Sequence, residues 1–256
     1  MISKMYSKLE FKKENLECWK KNTNYWLNSP LRQVEDTKSF FTNKLKEILF
    51  NNCIIFDLGC GSGWLIDLIQ ELNISVKYIG IDFNKKFIDF LNGKFNNSNY
   101  EFILADLEEP LNQKYYNKAD FVFNNFNFFE IANLESAFDN AYQFLKKDGS
   151  LIISTIDVTY LVVAISKNFD EFKQNLVDYE KTKNGGNVPY FFQPIDLGYA
   201  SSNNLRYASV LYSLADYFRL AKSKGLSLID YDEIICTSRF IPKIYQYIQF
   251  SKKSNR

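Results

Sequence analysis

The stretch Cys53-Ile54-Ile55-Phe56-Asp57-Leu58-Gly59-Cys60-Gly61-Ser62-Gly63 decides the fold. Its first half is an apolar, β-prone run, and its second half is a turn with Gly at every other position. Trp64, Leu65, Leu68, Ile69 and Leu72 follow at helical spacing, with Trp64 expected in the core. A strand that ends in a glycine turn and opens a helix lets a ligand approach the backbone beside the helix's positive end.

Outward from this stretch, strand and helix alternate. Upstream, Phe41, Leu45, Ile48 and Leu49 mark a helix over 36–50. Downstream, Val76–Ile81 reads as a second strand ending in Asp82, and Phe87, Ile88, Leu91 and Phe95 as a helix. Tyr100–Leu104 reads as a third strand before Asp106, and Ala119–Phe123 as a fourth. Leu134, Ala137, Phe138, Ala141 and Leu145 form the next helical stripe, closed by Gly149 as a C-terminal stop. Leu151–Ile156 is a fifth strand. A helix at Leu214, Phe218 and Ala221 stops at Gly225, and Leu226–Tyr231 and Lys243–Phe250 are two more strands. Nearly continuous apolar strands alternating with helices call for a mostly parallel sheet covered on both faces. The final pair lacks an intervening helix, so the last strand is expected to run antiparallel.

Two segments stand outside this rhythm. Residues 1–50 are read as an N-terminal helical cap, and 157–211 as an inserted substrate lid within a single domain spanning 1–256. In the lid, Asn184-Gly185-Gly186-Asn187 is a turn signal between the runs Val177–Thr182 and Val188–Gln193, which together read as a hairpin.

Composition narrows the chemistry. The chain has 256 residues, with 31 Lys+Arg against 30 Asp+Glu and no His. Without His there is no Ser-His-Asp triad, no Cys-His pair and no His-ligated zinc, so proton transfer falls to Asp, Glu, Tyr, Lys, Cys or water. Cys18, Cys53, Cys60 and Cys236 form no CxxC pair; Cys53 and Cys60 are expected as buried free thiols, and no metal is expected. A charge near zero with no basic stripe disfavours nucleic acid. The start shows no apolar secretory core and no run approaches membrane-spanning length, so a cytoplasmic protein, monomer or homodimer, is expected.

Three carboxylates sharpen the reading of the glycine turn. Asp57, Asp82 and Asp106 all fall at the C-terminal ends of predicted strands, where open α/β sheets bind ligands. Asp82 is placed to accept both hydroxyls of a ribose. Asp57, two residues before the first Gly, is a poor neighbour for a dinucleotide pyrophosphate and suits a cationic ligand. The glycines also run G-x-G-x-G, not G-x-G-x-x-G. S-adenosylmethionine, with its sulfonium and ammonium, complements this set, and a nicotinamide cofactor is the runner-up.

The D-x-G-x-G-x-G stretch, Asp82, Asp106 and the run Leu145-Lys146-Lys147-Asp148-Gly149-Ser150-Leu151 together resemble the class I S-adenosylmethionine-dependent methyltransferases over about residues 35–156 and 212–250. The resemblance implies a doubly wound α/β sheet of order 3-2-1-4-5-7-6 with strand 7 antiparallel. It implies that Gly59, Gly61 and Gly63 pass the methionine part of the cofactor and that Asp57 meets its ammonium. Asp82 would hold the ribose, with Phe83 against the adenine; Asp106 would meet the adenine amine, with Leu107 beside it. The Asn124 backbone carbonyl would face the ammonium. Tyr25, Trp26 and Arg32 are similar to residues that close over the methionine end in some small-molecule members.

The acceptor is expected to be a small polar molecule methylated on O or N. Glu130 falls where such enzymes often carry a His and is the candidate catalytic residue. Tyr160, Tyr190, Tyr199, Arg206 and Tyr207 in the lid are substrate candidates. Lys12-Lys13 and Lys20-Lys21 read as solvated faces. The stretch Asn124-Asn125-Phe126-Asn127 lacks the proline motif of nucleic-acid amino methyltransferases. A protein or tRNA methyltransferase, and a non-catalytic cofactor-binding protein, remain alternatives.

Overall fold

The computed structural model describes residues 7–28, 32–157, 169–184, 190–194, 206–210, 212–236 and 243–253. Two helices, α1 (Lys8–Asn28) and α2 (Arg32–Ile48), precede the sheet. Then come β1 (Cys53–Leu58), α3 (Trp64–Glu71), β2 (Val76–Asp82), α4 (Lys85–Lys94), β3 (Tyr100–Leu104), β4 (Ala119–Asn125), α5 (Leu134–Phe144) and β5 (Leu145–Ile156). After α6 (Phe169–Asn184), a small hairpin pairs β6 (Tyr190–Pro194) with β7 (Arg206–Val210). Finally α7 (Leu214–Ser223), β8 (Ser227–Cys236) and β9 (Lys243–Ser251) complete the chain's described elements.

The main sheet has seven strands in the order β3-β2-β1-β4-β5-β9-β8. β9 runs antiparallel to both neighbours and the remaining pairs are parallel. This is the expected order, with β8 and β9 as the sixth and seventh strands. Two apolar layers sandwich the sheet because successive strand residues point to opposite faces. Phe56, Leu58, Phe128, Phe138 and Phe144 lie in one layer; Ile55, Phe123, Leu65, Leu91 and Phe41 lie in the other. Burying each such side chain contributes about 1.5–3 kcal/mol. The strand order reverses between β1 and β4, so a crevice opens at their C-terminal ends.

Three local expectations differ from the structure. Val177–Thr182 lies inside helix α6, and the hairpin is instead made by β6 with the later β7. The runs flanking the Asn-Gly-Gly-Asn turn are therefore helix and strand; β propensity there yields to context. The α5 helix ends at Phe144, so Leu145 opens β5 rather than closing the helix. Gly149 is not a helix stop either. Asp148 carries the positive φ of 62°, and a Cβ on Gly149 would stand 2.7 Å from the Ala119 carbonyl oxygen, where β5 crosses β4. The chain bulges there: Leu145 pairs with Ala119, but the next partners are Ser150 and Phe121.

Because the obstacle at Gly149 is backbone, Gly149→Ala is expected to destabilise the protein by about 1–3 kcal/mol, the usual cost of overpacking. Urea unfolding monitored by circular dichroism measures it.

Candidate active site at the tips of β1 to β4

The turn after β1 is tied to β2 by the main chain. Gly59 and Cys60 N–H groups both donate to the Ile81 carbonyl, at 2.8 and 3.1 Å. Asp82, the last residue of β2, then accepts from Gly61 N–H at 3.0 Å and from Asn84 N–H at 2.8 Å, one on each carboxylate oxygen. A cleft opens above this junction, lined by Gly59, Asp82, Phe83, Asp106, Leu107, Asn127 and Glu130. Glu108 and Ile131 complete the sheet-side wall. Gly59 has φ 77°, and a Cβ there would fall 2.5 Å from Asn127 Cγ. Glycine is needed so that the Asn127 side chain can lie across the turn.

The opposite wall is α1. Lys12, Asn15, Leu16 and Trp19 line the cleft. They stand at i, i+3, i+4 and i+7, one stripe of the helix. Lys12 Nζ reaches Asp106 at 2.8 Å and Glu109 at 3.3 Å. Asn15 donates to the Glu130 carbonyl at 2.8 Å, and Trp19 Nε1 donates to the Glu130 carboxyl at 2.7 Å. Further along, Thr23 Oγ1 accepts from Asn84 Nδ2 at 2.7 Å. Lys12 is therefore a wall of the cleft, not a solvated face. The stripe mixes a cation, an amide and two apolar side chains, so a search for apolar periodicity passes over it. Lys13 and Lys20 are exposed, as expected.

The cleft carries four carboxyl groups, Asp82, Asp106, Glu108 and Glu130, against one ammonium, Lys12. Burial dominates the titration of three of them, Asp82, Glu108 and Glu130. It lifts Asp82 to about 6, although the backbone N–H groups pull the other way. It holds Glu130 well above the usual carboxylate range against the opposing Trp19 hydrogen bond, with the Asp82 charge adding to the rise. Asp57 lies beneath the turn, 2% exposed, and accepts from the Tyr78 hydroxyl at 2.5 Å. Burial raises it to about 7.

The structure thus brings together Gly59, Asp82, Phe83, Asp106, Leu107 and Glu130. The other expected residues stand elsewhere. Gly61 orients Asp82 through its N–H. Gly63 faces Leu91 of α4 and caps α3, away from the cleft. Asn124 is fully buried below; its amide donates to the Leu58 carbonyl at 2.9 Å and accepts Phe128 N–H at 2.8 Å. Tyr25 and Trp26 stand on α1 as an edge-to-face pair 5.4 Å apart, with Trp26 5.8 Å from Trp19. Tyr160 and Tyr199 fall outside the described residues, as do the side chains of Arg32, Tyr190, Arg206 and Tyr207. The strands that carry the last three pack as a hairpin, and α1 contacts both of them. Cys53 and Cys60 are buried free thiols. No helix of the described residues is long and apolar enough to cross a membrane.

A carboxyl group whose folded pKa is raised holds its proton more tightly folded than unfolded. Stability from that proton is present at low pH and is lost as pH climbs. For Asp57 the window runs from the ordinary 3.8 to about 7. Asp57→Asn is expected to flatten the fall in melting temperature between about pH 5 and about pH 7.5, measured by thermal scans of the ligand-free protein.

Comparison with known proteins agrees with this geometry. The sequence model of the methyltransferase-domain family matches residues 49–205. A malonyl-[acyl-carrier protein] O-methyltransferase of Acetivibrio thermocellus is 37% identical over 102 residues, covering 40% of this chain and 35% of that protein. The chain therefore spans about a third of that relative's length. The crystal structure of an S-adenosylmethionine-dependent methyltransferase from Mesorhizobium loti superposes with a TM-score of 0.58 at 14% identity, over 82% of this chain and 96% of that one. The [4+2]-cyclase SpnF superposes at 0.56 and 11% identity, over 89% and 84%. At such identities the structures share the fold alone, and the cyclase shows that this fold hosts more than one chemistry. The family match covers more than half of the chain, and on that ground the protein belongs to the methyltransferase-domain family, of the class I, S-adenosylmethionine-dependent type.

Proposed function

We propose that the protein moves the methyl group of S-adenosylmethionine to an oxygen or nitrogen of a small polar molecule, with a carboxylate oxygen the favoured acceptor. The observation that carries this reading is the cleft at the strand tips, where four carboxyl groups and Asn127 meet beside a glycine turn. The residues fit the cofactor. Asp82 is already oriented by two backbone N–H groups and suits ribose hydroxyls. Phe83 and Leu107 offer apolar contact, and Asp106 suits the adenine amine. An excess of carboxyl groups favours a cation and disfavours the pyrophosphate of a nicotinamide cofactor.

The cofactor supplies the activated carbon, and the chain's own residues align and enclose the partners. The acceptor atom must be held roughly 3–3.5 Å from that carbon, on the line of displacement. Glu130 is buried and accepts from Trp19, and burial holds its carboxyl well above the usual carboxylate range. In its protonated form it donates a hydrogen bond and does not accept a proton. An acceptor that arrives already ionised, such as a carboxylate, needs no base and can be oriented by such a donor. The relatives named malonyl-[acyl-carrier protein] O-methyltransferases support transfer to oxygen.

Asp82→Ala is expected to weaken S-adenosylhomocysteine binding by about 2–4 kcal/mol, since hydrogen bonds to a charged group are lost. Calorimetry checks it; wild-type-like binding by the variant would refute the site. The acceptor is tested by incubating the protein with S-adenosylmethionine and panels of carboxylic acids, malonyl thioesters, amines and tRNA, reading S-adenosylhomocysteine formed. Turnover with amines or tRNA but no carboxylate would overturn the favoured acceptor.

A further inference from the structure

Two side-chain amides run in series from the end of β1 to the cleft. Asn124 is fully buried; its Nδ2 donates to the Leu58 carbonyl at 2.9 Å and its Oδ1 accepts the Phe128 N–H at 2.8 Å. These bonds settle which end of that amide is nitrogen and which is oxygen. The second Nδ2 proton of Asn124 goes to Asn127 Oδ1, at 3.3 Å. The Asn127 oxygen is thereby turned toward Asn124, and Nδ2 is its other end. That nitrogen lies across the glycine turn in the cleft wall, 2.8 Å from the point a Cβ on Gly59 would occupy. The Asn127 carbonyl accepts the Glu130 N–H at 2.8 Å, so the Asn127 amide and the Glu130 carboxyl stand on one turn.

Among the described residues that line the cleft, Asn127 Nδ2 is the one unengaged side-chain N–H donor. The Lys12 ammonium faces Asp106, Glu108 and Glu109. Asn15 Nδ2 is bound to the Glu130 carbonyl, and Trp19 Nε1 to the Glu130 carboxyl. The other polar side-chain groups are carboxyl groups and the Asn15 oxygen. A donor kept turned to the cleft by a buried neighbour is matched by a ligand atom with lone pairs to spare. An amine nitrogen is a poor match, since its single lone pair must face the methyl carbon. A carboxylate attacks with one oxygen and offers the other to the donor.

We infer that Asn127 Nδ2 binds the non-reacting oxygen of a carboxylate acceptor, and that Asn124 is the positioning residue that keeps this donor turned to the cleft. The inference rests on the methyl-transfer reading given above and deepens it by giving the acceptor a partner on the chain. In the transfer, the attacking carboxylate oxygen forms a bond to the methyl carbon as the bond from that carbon to sulfur breaks. The sulfur keeps the electron pair and leaves neutral, and no proton moves. The carboxylate loses its charge along this path, so the hydrogen bond from Asn127 is strongest before transfer. Its loss therefore appears in KM and not as a fall in kcat.

The test uses the full chain with two probes. The malonyl thioester of N-acetylcysteamine is the carboxylate acceptor, followed by S-adenosylhomocysteine formed; S-adenosylhomocysteine itself reports the cofactor site by calorimetry. Asn127→Ala removes the amide. Asn127→Asp keeps its shape and the oxygen that accepts from Asn124, and removes only the N–H. Both variants are expected to raise KM for the thioester about tenfold, in line with one lost hydrogen bond to a charged group. The expected kcat stays within about threefold of the wild type, and S-adenosylhomocysteine binding within about twofold. A merely structural Asn127 would leave Asn127→Asp with the wild-type KM, and that result overturns the inference. So does a loss of S-adenosylhomocysteine binding as large as the rise in KM, which would put Asn127 in the cofactor's site. Should Asn127→Ala not fold, Asn127→Asp decides alone. A wild-type protein that binds S-adenosylhomocysteine but methylates neither the thioester nor any carboxylic acid overturns the carboxylate reading and this inference with it, a result distinct from an unchanged KM in the variants.

Discussion

The cleft depends on the way Asp82 ends two different segments at once. One carboxylate oxygen accepts the Gly61 N–H and the other accepts the Asn84 N–H. The first bond fixes the glycine turn to the tip of β2; the second fixes the start of α4 to the same point. The Ile81 carbonyl reinforces this by accepting both Gly59 and Cys60 N–H groups. Without these bonds the turn would have several unsatisfied N–H groups at the edge of a buried sheet, which native chains avoid. The same carboxylate that organises the turn faces the cleft, so the structural tie and the cleft wall are one group.

That arrangement concentrates negative charge in a poorly solvated place. Desolvation raises Asp57, Asp82 and Glu130 together. A bound cation relieves that cost, and the carboxyl groups then favour the charged ligand over a neutral one. Lys12 supplies part of the compensation at the Asp106 end, where Asp106, Glu108 and Glu109 lie within 4 Å of its ammonium. Helix α1 is therefore more than a cover. It brings a counter-charge to one end of the cleft and an indole N–H to Glu130 at the other, through a single stripe from Lys12 to Trp19.

Much of this was readable from the chain. The strand-turn-helix stretch from Cys53 to Trp64, the alternation that follows it, and the position of Asp82 and Asp106 after their strands were visible because each depends on local propensity and on short spacings. Glu130 was singled out only through the family resemblance, which places a His at that distance past the fourth strand. Lys12, Asn15, Trp19 and Asn127 were not, because nothing in the order of residues says that a helix near the N-terminus folds back over sheet tips more than sixty residues away in sequence. The run at Val177–Thr182 misled for a related reason. Its β-branched and aromatic residues have strand propensity, and only packing makes them helix. Gly149 misled because a glycine after Lys-Lys-Asp is a familiar helix stop, whereas here the crowding of Ala119 selects it.

The order of residues by itself determined a doubly wound sheet with a glycine turn flanked by carboxylates, since hydrophobic periodicity and turn chemistry act over a few neighbours. It also determined, by the lack of His, which acid-base groups are present. Tertiary structure alone decided which side chains share the cleft. It set Asp57 beneath the turn and Asp82 within the wall, turned Gly63 toward α4, and laid α1 across the opening. Those outcomes arise from contacts between segments far apart in the chain, whose energies are burial and charge desolvation, and no short window of sequence contains them.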